Sequence, residues 1–230
     1  MLSDVPSVSL VCCDLATTVI DGSVMERAFA EAIAAQGIVA GTQSYTRAMV
    51  RLDRARGRPP VDILREFFDG DEAQCAVASL AFDRSFRDAA DRFGVAAPPA
   101  IIDALGKIAG TGAKVCLLTA LSRGACGRLA DRLLREGLAD LALCADEAPR
   151  GFPWPDLILT AMLRFGTGDV REVAIVASTE SALEAGRRAG AGFVIGLADG
   201  ARRAAALHRA GATHVLDGMD AIPTLVTSVA

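Results

Sequence analysis

The chain has 230 residues, 52% of them apolar and only 5% aromatic, with a net charge of −4. Such a length and apolar content predict one large aliphatic core with a smaller insert, and exclude a disordered polyelectrolyte. The mild acidity, with no dominant basic stripe, argues against a nucleic-acid partner, and no apolar run reaches the roughly 20 residues that span a bilayer.

Val8–Cys13 is a short apolar run ending in Asp14, the pattern of a buried parallel strand whose carboxyl end carries a polar group. Helical spacing follows over Met25–Gln36. An arginine-rich stretch from Arg47 to Arg65 contains Gly57-Arg58-Pro59-Pro60, and at least half of its arginines read as solvated helix faces. Helical pattern continues over Ile63–Phe68 and Ala73–Phe93, and the Pro98-Pro99 pair closes the region. No strand signal interrupts it, so residues 23–97 read as an all-helical cap inserted after the first strand, and 1–22 with 98–230 as the core domain.

Beyond the insert, helix and strand alternate. Helices are predicted over Ala100–Ala109, Ala125–Glu136, Asp156–Phe165 and Ala182–Ala189. Strands are predicted over Lys114–Thr119, Leu141–Ala145, Val173–Ala177, Phe193–Leu197 and Thr213–Leu216. This spacing predicts βαβ units and therefore an α/β fold with a doubly wound, Rossmannoid parallel sheet. Chemistry in such sheets sits beyond the carboxyl ends of the strands, where Asp14, Thr119 and Ser178 are delivered. The Gly110-Thr111-Gly112-Ala113-Lys114 segment precedes a strand, so it reads as a turn rather than a phosphate loop.

Cys12, Cys13, Cys75, Cys116, Cys126 and Cys144 form neither a CxxC pair nor a zinc spacing with His208 or His214, which predicts buried, reduced thiols and structural or surface histidines. The amino-terminal residues lack the basic and apolar regions of a secretory signal. A cytoplasmic protein, monomeric or homodimeric, with no membrane partner, is the expectation.

The segment from Asp14 to Gly22, Asp-Leu-Ala-Thr-Thr-Val-Ile-Asp-Gly, resembles the first motif of the haloacid dehalogenase superfamily, in the phosphonatase-like, phosphoglycolate-phosphatase-like branch, where Ala16 stands in place of a second aspartate. Leu117-Leu118-Thr119 is similar to the second motif. Asp146 to Ile158 resembles the third-motif loop with its following helix, and Val173 to Gly186, continuing into Phe193–Gly196, the fourth. Thr213-His214-Val215-Leu216-Asp217 is also similar to that branch, so the resemblance covers nearly the whole chain. It implies a covalent mechanism in which Asp14 is the nucleophile, Thr119 and a third-motif cation hold the substrate anion, fourth-motif acids hold magnesium, and the cap excludes water. Thr18 matches a first-motif threonine and reads equally well as a loop hydroxyl; Asp21 reads as a cap of the turn into the insert.

The chain departs from that pattern at defined positions. Where the fourth motif carries two aspartates, this sequence has Ser178 and Ala182, and Glu180 is the only nearby acid to weigh as a stand-in. Phe152 occupies the place of the third-motif cation. Arg150 lies two positions earlier, either as a surface arginine or as a replacement for the lost charge. No magnesium or other cofactor is therefore expected. Schiff-base phosphonatase chemistry needs a cap lysine, whereas Lys107 and Lys114 both follow the cap and the loop Arg56-Gly57-Arg58-Pro59-Pro60 has no amine. Bringing the Asp14 carboxylate against a phosphoryl dianion costs about 4 kcal/mol per charge pair at ~4 Å and an effective dielectric near 20. Magnesium and the third-motif cation normally offset that cost.

Two readings remain ahead of a residual magnesium phosphatase. In one, Asp14 attacks a carbon centre or acts as general base on a small anionic molecule without metal, as the family's 2-haloacid dehalogenases do with Ser and Asn in the fourth motif. Arg56 and Arg58 then clamp a substrate carboxylate. In the other, the fold is catalytically silent and binds a ligand or partner. Trp154 reads as loop packing, or with Phe152 as an apolar floor beneath Asp14.

Overall fold

The computed structural model describes residues 7–18, 22–93 and 96–227; the proposed Asp21 cap lies outside them. The chain opens with β1 (Leu10–Asp14), buried along its whole length, and a helical turn, α1 (Leu15–Thr18). Four helices follow: α2 (Gly22–Ala34), α3 (Gln43–Arg54), α4 (Pro60–Phe67) and α5 (Glu72–Phe93). The chain then runs α6 (Pro99–Gly110), β2 (Lys114–Leu118), α7 (Arg123–Arg135), β3 (Leu141–Leu143), α8 (Asp156–Phe165) and β4 (Val173–Ala177). It ends with α9 (Glu180–Ala189), β5 (Phe193–Leu197), α10 (Ala201–Arg209), β6 (His214–Leu216) and α11 (Ile222–Thr227).

The six strands form one parallel sheet in the order β3-β2-β1-β4-β5-β6. The chain winds outward from β1 through β2 and β3, then returns to β4 on the other side of β1. That reversal opens a crevice between the carboxyl ends of β1 and β4. The register Cys13↔Val176 brings Asp14 and the loop after β4 to the same edge.

Strand alternation sends adjacent side chains into different cores. Val11, Cys13, Val115, Leu117 and Val176 pack on one face against α6, α7 and α11 through Ile108, Leu133 and Ile222. Leu10, Cys12, Cys116, Leu118 and Ile175 pack on the other against α8, α9 and α10 through Ile158, Leu183 and Leu207. Double-sided burial explains why the strands read as continuous apolar runs. All six cysteines are buried and free. His208 Nδ1 lies 3.2 Å from the Ala212 carbonyl oxygen, and the His214 ring packs on Phe193.

The helices between β1 and β2 build a third core from Phe29, Ile33, Leu64, Phe82 and Phe86, and it continues into Leu121, Ala125, Cys126 and Cys144 of the sheet-bearing part. Ser122 Oγ donates to Asp83 Oδ2 at 2.7 Å across that junction, and Arg87 donates to the Gly124 carbonyl.

The predicted β4 and β5 match the observed strands end for end. β2 and β3 stop one and two residues early, the latter because Ala145–Glu147 turns into a 3-10 helix. The sequence spacing predicts neither the α1 turn nor α10 and α11, whereas α3 lies within the predicted all-helical insert without bounds of its own. Among the described residues, no helix is long and apolar enough to cross a membrane.

Candidate active site

The backbone becomes helical immediately after Asp14, so the Asp14 side chain meets its own following turn. Asp14 Oδ1 accepts from the Ala16 amide at 3.2 Å, and Oδ2 accepts from the Thr17 hydroxyl at 3.4 Å. The loop after β4 supplies the third donor: Thr179 Oγ1 reaches Asp14 Oδ2 at 3.2 Å. Thr17 ties the two loops together, accepting from the Ser178 amide at 2.7 Å with the Ser178 hydroxyl 3.0 Å away.

Asp14 is only 4% exposed. Burial pushes its carboxyl up from 3.8 to about 6, and the hydrogen bonds from Ala16, Thr179 and Thr17 oppose that rise. Desolvation dominates because the three neutral donors only partly replace the water an ionised carboxylate loses.

Asp14 opens onto a cavity of about 900 Å³ whose wall includes Ala16, Thr119, Ser178 and Thr179 from the strand ends, and Met25, Tyr45, Met49, Arg56, Gly57 and Arg58 from the helical layer. Gly57 has φ +83°, and a Cβ there would stand 2.5 Å from Thr179 Oγ1, so a side chain at this position is blocked both by conformation and by space. Pro59 packs as tightly on Gly151, where an added Cβ would meet Pro59 Cγ at 2.5 Å. The arginine-bearing loop is thus seated directly on the strand-end loops.

Asp14, Thr119, Ser178, Arg56 and Arg58 therefore line one cavity. Thr119 Oγ1 accepts from the Leu121 amide at 3.1 Å and shapes its own loop. Thr18 is not brought to the cavity: it is buried and donates back to the Leu15 and Asp14 carbonyls, the i−3 and i−4 bonds of a helical threonine. Arg150 forms a bidentate pair with Asp156, at 2.9 and 2.8 Å, and stacks on Trp154, whose ring also carries Arg188. These two line a separate cavity with Pro59 and Asp146. Phe152 is buried in the core beneath α8 and forms no floor to the Asp14 cavity. The Arg150–Asp156 pair ties the loop to α8, and Arg188, stacked on Trp154 and donating to the Pro153 carbonyl, ties it to α9.

Sequence reading missed Thr17, Thr179 and Arg203. Arg203 on α10 reaches the same cavity, donating to the Ser178 carbonyl and pairing with Glu180 at 3.4 Å. Glu180 is exposed and engaged there, not at Asp14.

Magnesium demands an octahedral oxygen shell, usually anchored by carboxylates. Both Asp14 oxygens already accept protein donors, the loop after β4 brings the Thr179 hydroxyl rather than an acid against it, and the described residues contain no group of three acidic, histidine or cysteine side chains able to hold a metal. This donor set does not fit a magnesium ion. Ser178 and Ala182 bring no carboxylate to the loop after β4 or the first turn of α9.

No protein-family model matches the sequence, and no curated protein matches it. Solved structures do. A phosphonoacetaldehyde hydrolase-like protein from Oleispira antarctica is 21% identical with a TM-score of 0.77, covering 98% of this chain and 93% of its own. A predicted phosphatase from Clostridium acetobutylicum has a TM-score of 0.77 at 14% identity, over 97% of this chain and 100% of its own. A HAD family hydrolase from Deinococcus radiodurans, solved with phosphate and sodium bound, has a TM-score of 0.61 at 20% identity, over 97% and 96%. At these identities the likeness carries the architecture and nothing finer: this chain has the fold of the haloacid-dehalogenase-like hydrolases.

Proposed function

We propose that this chain is a small-molecule hydrolase of the haloacid-dehalogenase-like type in which Asp14 acts without magnesium, as nucleophile on a carbon centre or as general base toward water, with the 23–97 helices as its cap over the 1–22 and 98–230 core. The observation that carries this reading is the buried, three-donor carboxylate of Asp14 in the wall of a large cavity. With its carboxyl at about 6, Asp14 is roughly nine-tenths ionised at neutral pH, near the optimum for a general base. Oδ1 holds one donor and Oδ2 two, so Oδ1 is the less encumbered oxygen for attack. In the nucleophilic form, Oδ1 bonds to carbon as the bond to the leaving group breaks and that group departs with the electron pair. Water then hydrolyses the resulting ester, restoring the carboxylate and releasing the alcohol and the protonated leaving group.

A predicted phosphatase is among the structural relatives. Here the charge repulsion between Asp14 and a phosphoryl group finds no fitting metal site, which favours carbon-centred chemistry. The test is turnover of a panel of 2-halo carboxylates, small carboxylic esters and phosphate monoesters, each with EDTA and with added magnesium. The proposal expects carbon-centred hydrolysis that is indifferent to EDTA and abolished by Asp14→Asn. Magnesium-stimulated phosphate release contradicts it. Absence of turnover across the panel favours the catalytically silent binding protein instead, and turnover retained by Asp14→Asn removes Asp14 from the chemistry.

A further inference from the structure

Resting on the reading of the Asp14 cavity as the substrate site, we propose that its ligand is an amphipathic anion, a molecule with an apolar body and one anionic head whose head is received by Arg54. The wall that α3 presents to the cavity carries Tyr45, Met49 and Val50, and it is faced by Met25, Ile63 and Leu121. Val50 is 45% exposed although it lines a cavity. Ile63 and Leu121 are already buried, but among the described residues nothing covers Val50, and a ligand that does so gains the free energy of removing it from water. The two methionines add an unbranched, adaptable surface suited to a chain or ring rather than to a hydroxyl-rich body.

The same helix turns cationic one turn later. Arg54 follows Val50 by four residues, so it falls on the same side, lines the same cavity and is exposed. Its neighbours are already engaged: Arg56 by Glu26 and Asp53, Arg58 by Glu66, and Arg203 by the Ser178 carbonyl and Glu180. Among the described residues Arg54 has no carboxylate partner. It also borders an adjoining cleft of about 760 Å³ shared with Arg47 and Arg51, which spreads the positive potential beyond the cavity mouth. An apolar wall that ends in an unpaired guanidinium selects a ligand with the same order of groups, since a bare apolar molecule leaves the cation unused and a small inorganic anion leaves the wall uncovered.

Calorimetric titration of the full chain with butyrate, octanoate, 1-octanol and inorganic phosphate tests the inference. It is run in wild type and in Asp14→Asn, so that binding is measured apart from chemistry. Each added buried methylene should tighten binding roughly fourfold, and octanoate should exceed 1-octanol by roughly fivefold. Arg54→Gln should erase the advantage over 1-octanol, and Val50→Asp should flatten the chain-length series; both sites are exposed, so folding is spared. Undetectable octanoate binding, equal affinity for butyrate and octanoate, tighter binding of inorganic phosphate than of octanoate, or indifference to either variant overturns it. A chain-length series that persists while no carbon-centred turnover is found leaves this inference standing and removes the catalytic reading of Asp14.

Discussion

Replacing Asp14 with Asn separates what the carboxylate does from what its burial costs. Burial lifts the Asp14 carboxyl from 3.8 to about 6, against the pull of Ala16, Thr179 and Thr17. The folded state therefore holds this proton more tightly than the unfolded chain does. Its contribution to stability is full below 3.8 and is lost as pH rises through about 6. At ~1.4 kcal/mol for each tenfold change in proton affinity, the gap amounts to about 3 kcal/mol at neutral pH and above. Asn keeps the shape and one acceptor oxygen without the charge. The two proteins should thus converge in stability toward pH 4, and Asp14→Asn should be the more stable at pH 8 by up to about 3 kcal/mol, several degrees in Tm for a chain of this size. Urea denaturation at pH 4, 6 and 8 measures the difference directly. A variant less stable than wild type at pH 8, or a difference constant across that range, refutes the reasoning.

Thr179→Val removes a donor that favours the ionised form, so the Asp14 carboxyl should rise above about 6 and the acid limb of the pH–activity profile should move to higher pH; an unmoved limb contradicts the assigned hydrogen bond. Gly57→Ala puts a Cβ at positive φ and 2.5 Å from Thr179 Oγ1, and should cost at least ~1 kcal/mol in denaturation while loosening the arginine loop; unchanged stability argues that the loop is not seated as described. Phe86→Ala empties a fully buried site stacked on Phe82 and should destabilise by about 3–5 kcal/mol, whereas a loss below ~1 kcal/mol means that the helical layer lacks a tight core of its own.

The sheet was legible because burial on both faces writes itself as unbroken apolar runs, as in Val173–Ala177 and Phe193–Leu197. α3 received no bounds of its own within the all-helical insert because only Ala48 and Leu52 are buried in its twelve residues, which leaves little apolar periodicity in an arginine-rich stretch. α10 buries Leu207 alone. In the site, Asp14 and Ser178 were readable as strand-end residues, whereas Thr18 came from the first-motif resemblance, which does not fix where the helical turn begins. One residue of phase decides which hydroxyl meets the carboxylate and which bonds back to the helix. Arg203 comes from a helix more than 180 residues downstream of Asp14, and no spacing announces it. Arg150 and Trp154 were placed in the right loop, yet their pairing with Asp156 and Arg188 is a three-dimensional fact.

The central claim is that Asp14 works without a metal. Calorimetric titration of magnesium in the presence of orthovanadate, a mimic of a transferring phosphoryl group, tests it most directly when wild type and Asp14→Asn are compared. A metal-free Asp14 should show no magnesium-dependent binding of vanadate that the substitution removes. Stoichiometric magnesium–vanadate binding in wild type, lost in Asp14→Asn, contradicts it.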